Sequence, residues 1–422
     1  MGVPWVGHIV FVEATVTGAG LRAVQFAKEK GLTVTFLTRN RQDYQPKDPR
    51  EPDLLDLVDQ VIDVETHDVE EVSRAALGLN EKMPITALTT VADFFVPQAA
   101  AAAERLGLPT IPYRAAVAAR NKHLTRAMIA RQDPDLNPAW ALAGSEGAAL
   151  AAAADIGYPL VIKPQDENDG FDIRRLDSPA QLAAEFCRIT AKATNRVGQR
   201  KAPGGVILES LLQGQEYSVE TLQGGVDEPV QLIGITKKYL TGLERGCFVE
   251  VGHCFPVDEH RDLILAAVTS ALHALGVNTA ICHTEVKVHE GRVKIVEVNP
   301  RLAGGRIGSH LIEIATGVNP VRLAIDCALG MRPRWNGVAR QGAAIHNIGS
   351  PQQGRVRSLP DISHFEHPDV LCFSLPLRAG QEVQPPLSNG DLLGYVITRG
   401  ATAGQAFRLA RSLADAVSLD ID

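Results

Sequence analysis

Between Lys294 and Gly308 the chain reads KIVEVNPRLAGGRIG, in which a carboxylate, an amide and a guanidinium, Glu297, Asn299 and Arg301, occupy alternate positions ahead of a glycine pair. Alternate side chains of an extended strand share one face, so these three groups are expected to point together while Val296 and Val298 point into the protein. The surrounding stretch HTEVKVHEGRVKIVEVNP reads as a hairpin turning at Glu290 and Gly291, which sets Glu285 across the ladder from Glu297. Two facing carboxylates repel each other unless a cation lies between them. With the amide oxygen of Asn299 they form the all-oxygen set that hard divalent cations prefer, and Mg2+ takes one or two carboxylates beside waters and substrate phosphates. Glu285, Glu297 and Asn299 are therefore the candidate metal ligands of a phosphate site. The alternative, two solvated strand glutamates, leaves the Asn, the Arg and the glycines behind them without a purpose.

Composition bounds what can position these groups. The 422 residues are 45% hydrophobic and 22% charged, enough for two or three domains with real cores and unlike a disordered chain. Net charge is −7, with no Lys/Arg run and no aromatic-basic stripe, so nucleic acid is not an expected partner. MGVPWVG carries no signal-peptide pattern and no apolar run approaches membrane-spanning length; no membrane partner and a cytoplasmic location are the default expectations. Cys187, Cys247, Cys254, Cys282, Cys327 and Cys372 form no C-x-x-C pair and read as reduced core thiols.

Strands and helices alternate along the first third. HIVFVEA (8–14), the turn TGAG, the helix LRAVQFAKEKG and the strand LTVTFLTRN make a βαβ unit. Strands at QVIDV and ITALTTVAD follow, with helices at 69–79 and 94–107, the second carrying alanines at 99–103. Residues 1–113 are thus expected to form a doubly wound parallel-sheet domain. Gly18 and Gly20 lack the third glycine and the acid of a dinucleotide fingerprint, so a tight turn is preferred to NAD binding. Prolines at 109, 112, 134 and 138 flank a connecting helix at 114–131. A small central domain, 114–212 with that helix, continues through SEGAALAAAADIG, YPLVIKP, the acidic loop QDENDG, FDIRRL and GGVILES. From EYSVETLQGG onward antiparallel strands dominate, giving a third unit at 213–422 with a closing subdomain at 340–422. The fold class is α/β, passing to α+β in the C-terminal part.

EVKVHEGRVKIVEVNPRLAGG, preceded by VEVGHCFP (249–256) and VILESLLQGQEYSVE (206–220), resembles the ATP-grasp superfamily, specifically its carboxylate-amine ligases of the L-amino-acid ligase kind. The resemblance covers nearly the whole chain, because AAIHNIGSPQQGRV and SNGDLLGYVITRGATAGQAFRLA are similar to the closing segment of those ligases. It implies ATP-grasp architecture and ATP with Mg2+, or Mn2+, as cofactors. Lys122 and Lys163 are similar to the two lysines directed at the α- and β-phosphates, where point charges suit polyphosphate. LESLLQGQE resembles the interdomain hinge, with Glu209 and the backbone of Leu211 and Leu212 at the adenine edge and Glu216 at the ribose hydroxyls. Family members close the triphosphate under a loop of small residues. Here the segment reads KPQDENDGFDIRR, keeping Gly170 but adding Asp166, Glu167, Asp169 and Asp172. Either this loop folds differently, or its acids face solvent while Arg174 and Arg175 serve the nucleotide.

The reaction so implied joins a small-molecule carboxylate to an amine in two steps, with amino acids as the expected substrates. Attack on the γ-phosphate gives an acyl phosphate and ADP, and the amine then displaces phosphate. Arg301 is the expected central catalytic residue, its fork suited to a carboxylate and then to an oxyanion. Gly304 and Gly305 leave room beside it for substrates. His253 is either a proton-handling group or a buried structural histidine. Arg306 is the expected anchor for the free carboxylate of the amine substrate, against an ion pair with Glu313. Competing functions are a carboxylase working through carboxyphosphate, a purine-type ligase, and a nucleotide-binding protein without turnover; a homodimer is compatible with any of them.

Overall fold

The computed structural model describes residues 7–16, 18–45 and 52–422; MGVPWV and Thr17 of TGAG lie outside the described residues. The chain begins with β1 (His8–Val12), α1 (Ala19–Glu29), β2 (Thr33–Thr38), β3 (Gln60–Asp63), α2 (Val69–Lys82), β4 (Ala87–Thr89) and α3 (Val96–Arg105). Its four strands pair in parallel in the order β3-β2-β1-β4. β1 is apolar throughout because both its faces are covered: Ile9 and Phe11 pack with α1, Val10 and Val12 with α2 and α3. This is the doubly wound arrangement. β1 ends at Val12, two residues early, because Glu13 turns into the left-handed region at φ 52. The alanines at 99–103 are all buried in α3, which packs against α2. That helix is preceded by a 3-10 turn at Asp93–Phe95.

The single helix expected over 114–131 is two, α4 (Tyr113–Arg120) and α5 (Lys122–Gln132). Asn121 separates them with φ −122 and ψ 108, and its side-chain oxygen accepts from Leu124 N at 3.0 Å to cap α5. Asn favours the cap because its amide competes for backbone N–H groups inside a helix. The break re-aims the chain so that Lys122 opens the second helix.

β5 (Trp140–Ala143), α6 (Glu146–Ile156), β6 (Leu160–Pro164), β7 (Arg174–Leu176), α7 (Pro179–Thr190) and β8 (Val206–Ser210) follow. They form an antiparallel sheet, β5-β8-β6-β7, whose Leu160, Ile162 and Leu208 pack on Ala149 and Ala153 of α6 and Leu182 of α7. The remainder runs β9 (Gln215–Gln223), β10 (Gln231–Thr241), β11 (Val249–Phe255), α8 (Arg261–Leu275), β12 (Ala280–His289), β13 (Arg292–Asn299), α9 (Ile312–Thr316), α10 (Pro320–Ala328) and β14 (Gly342–Ile348). It ends with β15 (Gly354–Ser358), β16 (Val370–Ser374), β17 (Glu382–Val383), β18 (Gly394–Gly400), α11 (Ala403–Asp415) and β19 (Asp420–Ile421). Eight of these strands make one antiparallel sheet, β13-β12-β9-β10-β11-β14-β18-β16, with a small β17-β15-β19 sheet beside it. One sheet therefore runs from the hairpin to the C-terminal segment. Among the described residues no helix is long and apolar enough to cross a membrane.

Candidate active site

A cavity of about 820 Å³ lies among these sheets, and all the expected site residues except Asn299 line it. Ala14, Thr15 and Gly18 before α1 and Ala19 at its start also line the cavity, so Gly18 and Ala19 of TGAG belong to the site. Gly20 is required there by packing, since a Cβ would sit 2.0 Å from the Thr15 carbonyl oxygen.

In the hairpin Glu285 stands directly opposite Glu297. Strict alternation fails at one position: a bulge skips Val296, which lines the cavity instead of the core, while Val293, Ile295 and Val298 face inward. The carbonyl freed at Val296 accepts from Arg126 Nη2 at 2.8 Å. Glu297 Oε1 accepts from Lys122 Nζ at 2.8 Å, and Glu285 Oε1 from Lys238 Nζ at 2.7 Å and His283 Nε2 at 3.1 Å. Burial alone would push the Glu285 carboxyl up, but Lys238 and His283 hold it well below the usual value. Asn299 is 1% exposed, and its Oδ1 has no hydrogen-bond partner. An orphaned buried oxygen costs roughly 1–3 kcal/mol, which a cation would recover. Among the described residues no three His, Cys, Asp or Glu side chains are gathered to hold a metal. Two carboxylates and an amide oxygen fit Mg2+, which leaves positions for waters and phosphates.

Lys238 is a hub absent from the sequence reading. Its side chain is 1% exposed and lies 3.0, 3.0 and 2.7 Å from Glu216, Glu250 and Glu285. Burial opposes its charge, but the three carboxylates hold its pKa well above the usual value. Adjacent lysines on a strand must face opposite ways, so one of Lys237 and Lys238 had to point inward; the sequence does not say toward which acids. His283, between Glu220 at 2.7 Å and Glu285, is raised to about 9 against the effect of burial.

At the hinge both oxygens of Glu209 are engaged, by Arg126 Nε at 2.8 Å and Lys163 Nζ at 2.6 Å. Burial lowers Lys163 to about 8, Glu209 partly offsetting it, while Glu209 itself is held at about 2 by Arg126 and Lys163 against burial. Leu211 and Leu212 follow on the cavity wall, and Glu216 there meets Lys238 and, at 3.7 Å, Lys287.

The acidic loop folds around its own counter-charges. Asp166 accepts from Ala202 N at 2.8 Å, Glu167 from Arg196 N at 2.9 Å, and Asp169 pairs with Arg196. Asp172, at φ 57, pairs with Arg188 and Lys192 of the α7 region, both at 2.6 Å. Arg174 bonds the Ile173 carbonyl and Arg175 bonds Asp177, and neither lines the cavity. Of the two alternatives, the one in which these arginines serve the nucleotide is not met, because neither side chain reaches the cavity wall. Arg196 is the arginine on the wall at this end.

Arg301 Nε donates to Asp93 Oδ1 at 2.8 Å, and Asp93 keeps the buried guanidinium firmly charged against the pull of burial. His253 is buried with Nε2 3.2 Å from Glu250 Oε2, and its Nδ1 has no partner. Gly305, at φ 55, lies against that ring, where a Cβ would come within 2.8 Å of Nε2, while a Cβ on Gly304 would meet nothing within 4 Å. Arg306 stacks over Tyr395, 4.6 Å from the ring centre. Its alternative pairing with Glu313 does not form, because Glu313 is held by Arg22 and accepts from Asn319 Nδ2 at 2.8 Å. His310 is pushed down to about 3 by burial and then by Arg22 and Arg306, which marks a cationic corner.

Lysines and a carboxylate hairpin sharing one cavity, between a small antiparallel sheet and a larger one, define a nucleotide-binding architecture of the ATP-grasp type. Family models agree along the chain: the ATP-grasp N-terminal domain matches residues 24–110, the ATP-grasp domain 156–310, and the L-amino acid ligase C-terminal domain 2 residues 348–422. The chain belongs to the ATP-grasp superfamily. It is 26% identical over 277 residues to the alanine–anticapsin ligase of Bacillus amyloliquefaciens, an alignment that covers 62% of this chain and spans 58% of the relative's length. The L-amino acid ligase of Bacillus licheniformis shares the fold with a TM-score of 0.76, 22% identity and 99% of both chains covered. The biotin carboxylase domain of Hydrogenobacter thermophilus 2-oxoglutarate carboxylase, solved with ADP and magnesium, gives 0.68 at 15% identity over 98% of this chain and 90% of that one.

Proposed function

We propose that the protein is an ATP-dependent carboxylate-amine ligase that joins two amino acids through an amide bond and releases ADP and phosphate. The observation that carries this reading is the meeting of Glu285 and Glu297, in register, with Arg301 and three lysines on one cavity. Lys122 and Lys163 hold the phosphates, the backbone at Leu211 and Leu212 receives the adenine edge, and Glu216 the ribose. Bound by Glu285, Glu297 and Asn299, Mg2+ would supply neutralisation of the charge spread over the transferring phosphoryl group. Arg301 orients the acid whose oxygen attacks the γ-phosphorus as the bond to ADP breaks. The amine nitrogen next attacks the acyl carbon, phosphate leaves with the C–O bond electrons, and the amine gives up its proton. His253, braced by Glu250, is the group placed to handle that proton. Gly304 leaves space for the substrates, Gly305 admits the imidazole, and Arg306 takes the acceptor's carboxylate. Residues 1–113, 114–212 and 213–422 are the corresponding N-terminal, lid and catalytic units, with 340–422 closing the site.

A role without turnover would be favoured by an acidic loop that repels phosphate. Here Arg188, Lys192, Arg196 and backbone N–H groups neutralise that loop. The test is a matrix of L-amino-acid pairs with ATP and Mg2+, read by phosphate release and by mass spectrometry of the product. Phosphate is expected only when an acid and an amine are both present, in equal amount to a new amide. Release driven by bicarbonate alone, or by no pair at all, would overturn the proposal.

A further inference from the structure

We infer that Asp93 is a positioning residue that ties docking of the loop 165–172 to the placement of Arg301; this rests on the proposed function, in which Arg301 holds the reacting carboxyl. Asp93 follows β4, far in sequence from everything it touches, and is buried. Its Oδ1 accepts from Arg301 Nε at 2.8 Å, and its Oδ2 accepts from Arg120 Nη1 at 2.7 Å and from Asn168 Nδ2 at 2.9 Å. The three donors come from the end of the catalytic strand, the end of α4 and the loop itself. Asp93 has two oxygens, and the loop shares one of them with Arg120.

The same loop is held twice more from behind. Arg120 Nη2 donates to the Asp166 carbonyl at 3.0 Å, and Lys122 Nζ to the Glu167 carbonyl at 2.5 Å. Lys122 is also the partner of Glu297. The carbonyls of 166 and 167 are thus held by Arg120, which shares Asp93 with Arg301, and by Lys122, which binds Glu297. Asn168 contributes a donor without a charge, so its arrival adds a bond to an anion already shared by two guanidiniums and unbalances nothing. When the loop lifts, Asp93 loses one ligand and Arg120 another, and the carboxylate that fixes Arg301 is free to re-orient. The guanidinium is held in its working position only under a docked loop, so phosphoryl transfer is coupled to coverage of the nucleotide. Asp172, Asp169 and Arg196 do not share in this link, because their pairs close within the lid.

The experiment compares Asn168→Ala and Asp93→Asn with the intact protein, using ATP, Mg2+ and a pool of the twenty proteinogenic L-amino acids. Hydrogen exchange is followed at 165–172 and at 299–303. Asn168→Ala leaves the Arg301–Asp93–Arg120 trio in place, yet exchange at 299–303 with ATP bound should rise at least about fivefold, and kcat should fall roughly tenfold with a smaller change in KM for ATP. Asp93→Asn should loosen 165–172 to a similar degree although it lies outside the loop, and lower kcat about a hundredfold. Unchanged exchange at 299–303 in Asn168→Ala overturns the coupling, as does an unchanged loop in Asp93→Asn. Should Asp93→Asn fail to fold, Asn168→Ala decides alone. If the intact protein turns over no amino acid, the ligase reading fails, while the two exchange measurements still decide whether Asp93 joins loop and strand.

Discussion

The hairpin β12–β13 and the loop 165–172 are both rich in acids: Glu285 and Glu297 of the first line the cavity, whereas of Asp166, Glu167, Asp169 and Asp172 in the second only Asp169 does. In the hairpin the pleat fixes where each carboxylate points, and the cations that meet them are Lys122, a wall residue, and Lys238, which reaches three acids at once. Lys122, Glu297 and Glu285 all line the cavity, within reach of a phosphate or a metal there, while Lys238 braces Glu285 from behind the wall. In the loop each acid is turned to a fixed neighbour: Ala202 N, Arg196 or the Arg188–Lys192 pair. Carboxylates near a phosphate site are informative only together with what already neutralises them. An acid that itself faces the cavity, as Glu285 and Glu297 do, is available for chemistry, and one turned away from it to a neighbour in the scaffold, as Asp172 is, has a structural use.

The strongest way to break this contrast is to remove charge from the hairpin while keeping shape. Glu297→Gln should remain folded, because the amide fills the same space, and should lose phosphate release by about a thousandfold or more, since a charged ligand and the Lys122 pair both disappear. Circular dichroism and a phosphate-coupled assay check the two halves. A variant with most of its turnover would move Glu297 into the same class as the loop acids.

The contrast also marks what was legible in the sequence. Side-chain direction in a strand is set locally, so Glu285, Glu297, Asn299 and Arg301 could be found from parity and a Glu-Gly turn, with one error at the Val296 bulge. Lys163, at the end of an apolar strand, is legible only through the family resemblance, since a lone lysine carries no signal of its own. Partners of a charge are set by packing. Asp93 is 208 residues from Arg301, Lys238 meets acids on β9, β11 and β12, and the loop acids meet residues beyond β7. No local pattern carries those distances. Asn121 did carry a trace, as a capping residue within a helical period, and the period on either side concealed it.

A middle-sized effect is expected where a cation lines the cavity with no carboxylate of its own. Among the described residues Arg306 has Tyr395 beneath it and no acid in ion-pair distance. In Arg306→Met the preference for a free amino acid over its amide as acceptor should fall about tenfold, with ATP kinetics little changed, because a bidentate anion contact is lost from one substrate only. Steady-state kinetics with paired acceptors measures this ratio, and an unchanged ratio would give the stacked arginine a purely structural use.

The smallest functional effect belongs to Asp172→Asn. The φ of 57 suits Asn as well as Asp, so the backbone is not disturbed, and what disappears is the counter-charge of Arg188 and Lys192. Both partners are partly exposed while Asp172 is buried, so stability should drop by about 1–3 kcal/mol while kcat stays within about twofold. The sign of the pH dependence follows from the lowered carboxyl. Burial would raise it, but Lys192 and Arg188 hold it below the usual aspartate value of 3.8. Its contribution is therefore complete above 3.8 and is lost as pH falls through the lower folded value. Thermal unfolding should separate the variant from the parent at pH 7, and the gap should narrow progressively below 3.8. A gap that persisted undiminished in acid would show that the pair is not electrostatic. A variant that folded normally but lost turnover as completely as Glu297→Gln would place the loop acids among the working residues, and the distinction between the two regions would fall.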